Sequence, residues 1–363
     1  MLTLFRTECL RSTRTAASTI VYPTLSTVAG SKRLLSTPSS DPNVSTAASA
    51  TGKTVLLDFE AYEPTADQIA KRRTEVPISS LVVCHGLFGS KQNWRSLGRA
   101  MSSRFGVPVF ALDLRNHGTS PHIDGLAYSD MAQDVIEFMS SRNLSNVGLI
   151  GHSMGGKVSM SVALHPNLPS GMLRNLISVD MSAKRGPLSP EFERYIEAMA
   201  QIRDKPCHSR AEADEILQAT EPDLGVRQFL LTNLTRNPPN SPTWSWRIPV
   251  DLIRKNIAQI GDFPYNPPNA IAEELAAPGS ENAPEREWSG ETLFIKGTRS
   301  KYVNRRNIPT NQKYFPEAKL VHMETGHWCQ AEKPNEFVQV VEDFLTGRTQ
   351  DETQQALQPR SKS

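Results

Sequence analysis

The chain has 363 residues, of which 38% are apolar, 7% aromatic and 21% charged. That is enough for one large domain or two small ones, with much of the chain left outside the core. Forty basic residues against 38 acidic ones give a formal charge of +2, so charge makes no case for nucleic acid as the main partner. No apolar run approaches membrane-spanning length, and Cys9, Cys84, Cys207 and Cys329 share no CxxC spacing, which excludes a disulfide-dense scaffold and an ordinary zinc finger.

Residues 1–40 carry Arg6, Arg11, Arg14, Lys32 and Arg33 against a single acid, Glu8, in a background of Ser, Thr, Leu and Ala. This is the composition of a mitochondrial transit peptide, a basic amphipathic segment drawn to an inside-negative potential. It predicts a mitochondrial, matrix-type location; a disordered basic tail is the competing reading. Without these residues the remaining chain has a net charge of −2. Residues 348–363 are polar and read as a disordered tail.

From Lys53 onward strand and helix patterns alternate, which predicts an α/β fold with a mostly parallel sheet. Predicted strands fall at residues 54–59, 80–84, 107–112, 146–150, 173–179, 292–295 and 319–323. Predicted helices fall at 129–139, 154–164 and 335–345, with a loop or short helix at 64–77. The sheet rhythm stops at residues 181–290, where helices are expected near 191–203, 211–219, 226–234 and 251–260, followed by a mobile loop at 263–287. The core is therefore assigned to 53–180 and 291–346. An insertion of this size suggests a lid over a site; a separate helical domain is the alternative.

Gly151-His152-Ser153-Met154-Gly155 fits G-x-S-x-G between a predicted strand and a predicted helix. That context makes Ser153 a candidate nucleophile on a sharp strand-to-helix turn. The loop after the second core strand, Cys84-His85-Gly86-Leu87-Phe88-Gly89, is placed to supply one oxyanion donor. The backbone N–H groups of Leu87 and Met154 are the expected pair. Gly326-His327-Trp328 follows the last strand, and His327 is the candidate base among eight histidines. His85 is read as a structural residue of its loop.

The loop after residues 292–295, where an acid usually stands in this architecture, holds Ser300 and no carboxylate. Asp180, at the end of the strand before it, is the candidate acid: the two strand ends are expected to be neighbours, so that it can still reach His327. Glu324 is the fallback. Asp113 reads as a turn residue paired with Arg115. Phe88, Phe229, Trp244 and Trp246 are candidates for lining an apolar pocket, with plain core packing an equal alternative. No metal or organic cofactor is expected.

Five motifs in order, HGLFGSKQNW, DLRNHGTSPH, GHSMGGK, VDMS and GHW, together with FLLTNL and WSWR in the insertion, carry a resemblance. The chain resembles one subgroup of the α/β-hydrolase superfamily: the mitochondrial abhydrolase domain-containing 11 type, the YbfF-type esterases and the yeast ethanol acetyltransferases. The resemblance spans residues 55–345 and implies esterase, thioesterase or acyl-transfer chemistry on a small-molecule substrate. It also implies an acid after the earlier strand, at Asp180, and is consistent with mitochondrial location. The expected function is a serine hydrolase of esters or thioesters; an alcohol acyltransferase and a catalytically silent binding protein are the alternatives.

Overall fold

The computed structural model describes residues 53–71 and 75–348. The predicted leader at 1–40 and the predicted tail beyond residue 348 lie outside the described residues. Nine strands occur in these segments: β1 (Phe59–Tyr62), β2 (Ser80–Cys84), β3 (Val109–Leu112), β4 (Val147–His152), β5 (Leu173–Val179), β6 (Leu234–Thr235), β7 (Ser245–Trp246), β8 (Glu291–Gly297) and β9 (Ala318–Met323). Seven of them form one sheet in the order β1-β3-β2-β4-β5-β8-β9. Only β1 runs antiparallel, against β3.

The central strands show why the sheet lies in the middle. Every position of β2 and β4 is buried. Such unbroken apolar runs suit parallel strands covered on both faces. Side chains alternate between the two covers: Val82 and Cys84 join one apolar cluster, Leu81 and Val83 the other. The first cluster takes in helices Tyr128–Ser141 and Met154–Ala163. The second takes in helices Arg95–Phe105 and Pro334–Leu345.

Most predicted core elements match to within a few residues, but the first strand does not. Residues 54–58 lie outside any strand, and Val55 N–H donates to Asp134 Oδ1 (2.9 Å). Pairing begins at Phe59, opposite Leu112. Alternation of apolar side chains reports alternating burial, here of Val55 and Leu57, not a partner strand. Helices Arg95–Phe105 and Ile308–Tyr314 went unpredicted.

Between β5 and β8 the chain forms helices Pro190–Asp204, Arg210–Gln218, Leu224–Leu231 and Val250–Asn256, plus the hairpin β6–β7. The insertion is thus not purely helical. Residues 263–287 close around Asn266, whose Nδ2 donates to the carbonyls of Ser280 (2.7 Å) and Ala283 (3.0 Å). No helix among the described residues is long and apolar enough to cross a membrane. Cys84, Cys207 and Cys329 are free and buried.

Candidate active site

Ser153 stands between β4 and helix Met154–Ala163 with φ +55° and ψ −121°. A positive φ is costly for a residue with a side chain and marks a sharp, over-determined turn. Its neighbours make the turn possible. A Cβ on Gly151 would lie 2.0 Å from the Gly155 carbonyl oxygen, and one on Gly155 would lie 2.3 Å from that of Cys84. Only glycine fits at either position. The helix presents its N-terminus beside Ser153, and its unpaired N–H groups favour negative charge there.

Asp180 follows β5 directly, again at positive φ (+49°), and is fully buried. Its Oδ2 meets His327 Nδ1 at 2.7 Å. Its Oδ1 accepts from Gly297 N–H at 3.1 Å, and Ser300 Oγ donates to Oδ2. The ends of β5 and β8 are neighbours, as expected from sequence, and β8 lies between the strands of Asp180 and His327. The contact forms because β8 ends in Gly297. A Cβ there would sit 2.0 Å from the Gly326 carbonyl oxygen, so the histidine loop closes over that glycine. Glu324 is exposed and engaged with Thr298 and Arg299, not with His327.

Two further side chains hold the His327 ring and backbone. Tyr302 stacks on the imidazole, with centroids 4.1 Å apart. His152 Nε2 lies 2.9 Å from the His327 carbonyl oxygen. Neither role was foreseen; His152 had been only the variable residue of the motif. Ser153 and His327 line one cavity of about 400 Å³, and among the described residues no hydrogen bond joins them. Such contacts are commonly long without substrate and tighten when it binds.

The loop after β2, the candidate oxyanion loop, is clamped from both sides. Phe88, at φ +61°, donates its N–H to His117 Nε2 (3.1 Å), and its carbonyl accepts from Asn233 Nδ2 (2.6 Å). The N–H groups of Leu87 and Met154 donate to no acceptor among the described residues. His85 is engaged within its loop, with Nδ1 on the Gly86 carbonyl (2.8 Å) and Nε2 accepting from Leu114 N–H (3.0 Å). Both of its ring nitrogens are used, in line with a structural role. The expected Asp113–Arg115 pair does not form. Asp113 accepts from Lys91 and Thr119, whereas Arg115 grips Asp134 through Nε (2.6 Å) and Nη2 (2.8 Å).

Phe88 and Phe229 line the cavity with Phe192, Tyr195 and Leu230, so the insertion forms part of its wall. Trp244 and Trp246 do not. Trp246 Nε1 donates to the Met199 carbonyl (2.7 Å), and the guanidinium groups of Arg210 and Arg236 lie over the Trp244 ring. Both indoles serve the packing of the insertion. Among the described residues no group of three His, Cys, Asp or Glu side chains is placed to hold a metal ion.

Burial pushes His85 below its usual pKa, and pushes His117 and His152 down to about 3. Each is neutral when folded and titrates near 6.5 when unfolded. Above 6.5 neither state is charged. As pH falls below 6.5 the unfolded chain takes up protons that the folded one refuses, so stability is lost. Each histidine contributes a slope of up to about 1.4 kcal/mol per pH unit. Urea unfolding midpoints are expected to fall steadily from pH 7 to pH 5; a flat profile would contradict the buried neutral state.

A sharp-turn serine, an Asp–His pair and a two-donor backbone cradle at one end of a mostly parallel sheet define an enzyme of the serine hydrolase class. Comparison with known proteins makes the assignment specific. The model of the α/β hydrolase fold family matches residues 80–334, and the chain belongs to that family. It is 36% identical to the sn-1-specific diacylglycerol lipase ABHD11 of Xenopus laevis, over 73% of this chain and 79% of that one. It is 35% identical to a probable alcohol acetyltransferase of Saccharomyces cerevisiae, over 81% of this chain and 84% of that one. Among solved structures, a marine microorganism esterase matches with TM-score 0.65 and 31% identity, covering 80% of this chain and all of that one.

Proposed function

We propose that this protein cleaves a small carboxylic ester or thioester through an acyl-enzyme on Ser153. The observation that carries the reading is the 2.7 Å contact of buried Asp180 with His327 Nδ1, on a ring that shares its cavity with Ser153. Asp180 holds the imidazole with its proton on Nδ1, leaving Nε2 free to accept. His327 takes the Ser153 proton as Oγ attacks the substrate carbonyl. The N–H groups of Leu87 and Met154 hold the resulting oxyanion. His327 then returns the proton to the departing alcohol or thiol, and water releases the acid by the reverse path.

The test is labelling with a fluorophosphonate probe. The adduct is expected on Ser153 in the full chain and absent from Ser153→Ala; labelling elsewhere, or none, would overturn the reading. Transfer of the acyl group to an alcohol is the second reading, favoured by the similarity to an alcohol acetyltransferase. Incubation of an ester with excess ethanol separates the two, by comparing free acid with new ethyl ester.

Residues 181–290 act as the lid in this reading, since Phe192, Tyr195, Phe229 and Leu230 wall the cavity. Location in the mitochondrial matrix rests on the basic, acid-poor composition of residues 1–40. Cell fractionation of the tagged chain, with and without those residues, tests it.

A further inference from the structure

Ser153 opens onto a second cavity of about 420 Å³, which shares Leu87, Ser153, Phe192 and Tyr302 with the first. The two differ in charge. The first is lined by one carboxylate, Glu191, and by no lysine or arginine. The second is lined by Lys157, Lys184, Arg185, Lys301 and Arg306 and by no carboxylate.

Three of these cations already have partners. Lys157 Nζ donates to the backbone carbonyls of Gly261 (3.0 Å) and Asp262 (2.8 Å). Lys184 pairs with Glu273 (2.9 Å) and Arg185 with Asp262 (3.2 Å). Lys301 and Arg306 have no carboxylate partner among the described residues. They sit on a loop that is tied internally. Asn307 Nδ2 donates to the Tyr302 carbonyl (2.7 Å), and Asn304 N–H to Asn307 Oδ1 (2.9 Å). The loop therefore presents both cations at the cavity, where like charges around a concave wall reinforce one another and favour an anion. Burial holds the Lys157 amine down near 7, and an anion close by would favour its charged form.

We propose that the second cavity is an anion subsite: the substrate has one apolar arm for the first cavity and one arm bearing a carboxylate or phosphate, met by Lys301 and Arg306. This rests on Ser153 being the acyl-forming nucleophile, and it adds the class of substrate. Both arms leave the scissile carbonyl, so the anion belongs either to the acyl part or to the leaving group.

Two matched pairs of substrates separate those sources. On the acyl side, 4-nitrophenyl butyrate is compared with 4-nitrophenyl succinate, which bears one free carboxylate. On the leaving-group side, glycerol monobutyrate is compared with its 3-phosphate. In at least one pair kcat/KM is expected to favour the anion by about tenfold, a preference that added salt weakens. The double variant Lys301→Gln/Arg306→Gln is expected to bring the anionic-to-neutral ratio close to one. Both residues are exposed, and a ratio within one variant is insensitive to its folded fraction. No preference in either pair, or a preference that survives the double variant, would overturn the subsite. Turnover without charge preference in a chain labelled at Ser153 would sink the subsite alone, whereas absence of labelling would sink the nucleophile and the subsite with it.

Discussion

Asp180→Asn is expected to lower kcat by about 10⁴-fold with little change in KM. The carboxylate of Asp180 accepts three hydrogen bonds, from Gly297 N–H, Ser300 Oγ and His327 Nδ1. An amide cannot accept all three. If its oxygen keeps the fixed Gly297 N–H, its NH₂ group faces Nδ1. The imidazole must then carry its proton on Nε2, the wrong tautomer to take a proton from Ser153. The Asp180 side chain is fully buried, so water cannot substitute for the lost charge. Glu324→Gln serves as the control and is expected to stay within about twofold of the parent, because Glu324 makes no contact with the imidazole. Steady-state kinetics on variants with matched thermal unfolding would decide it. Retention of a tenth or more of the parent kcat in Asp180→Asn would show that this carboxylate does not orient the base.

What the sequence disclosed about this site, and what it withheld, has a physical pattern. Ser153 and His327 were readable because each lies in a local constraint: glycines that a tight turn requires, or a motif directly after a strand. Asp180 was readable because the more usual position held Ser300, and of the other carboxylates at strand ends Asp113 sits in a loop that reads as a structural turn and Glu324 was only a fallback. The reach of Asp180 to His327 rests on β5 and β8 being neighbours, while the way the contact is made was not legible: β8 lies between their strands, and Gly297 makes room. Side chains whose partners are far away in sequence gave no local signal. His117 and Asn233 meet Phe88 from 29 and 145 positions away, and His152 meets the His327 carbonyl from 175. The same blindness explains Trp244 and Trp246. Both are large and apolar, which suits a pocket wall and insertion packing equally, and only the tertiary contacts choose between them. The Arg115–Asp134 pair was missed for a similar reason, as Asp113 was nearer in the chain but already held by Lys91.

The clamp on Phe88 leads to the second large effect. Oxyanion donors act only when they are fixed before the charge develops, and loss of one such donor typically costs about 10²–10³ in kcat. Leu87 N–H is fixed indirectly: the next residue stands at a positive φ with its N–H held by His117 and its carbonyl by Asn233. In His117→Ala the buried Phe88 N–H loses its acceptor, a cost of about 1–3 kcal/mol that the loop can relieve by turning the peptide. His117 is thus a positioning residue, remote from the reacting atoms, and kcat is expected to fall by about 10²-fold while KM changes little. A residue needed only for folding would lower the active fraction without altering the kcat of correctly labelled sites. Titrating active sites with the fluorophosphonate probe separates the two cases. His117→Gln, whose side-chain oxygen can accept in place of Nε2, is expected to recover part of the loss. Asn233→Ala acts on the same peptide from the insertion, so its effect and that of His117→Ala should combine non-additively in a double-mutant cycle. Strict additivity, or a normal kcat per labelled site in His117→Ala, would mean that Leu87 N–H is held by the loop alone, and that the insertion has no hold on the chemistry through Asn233.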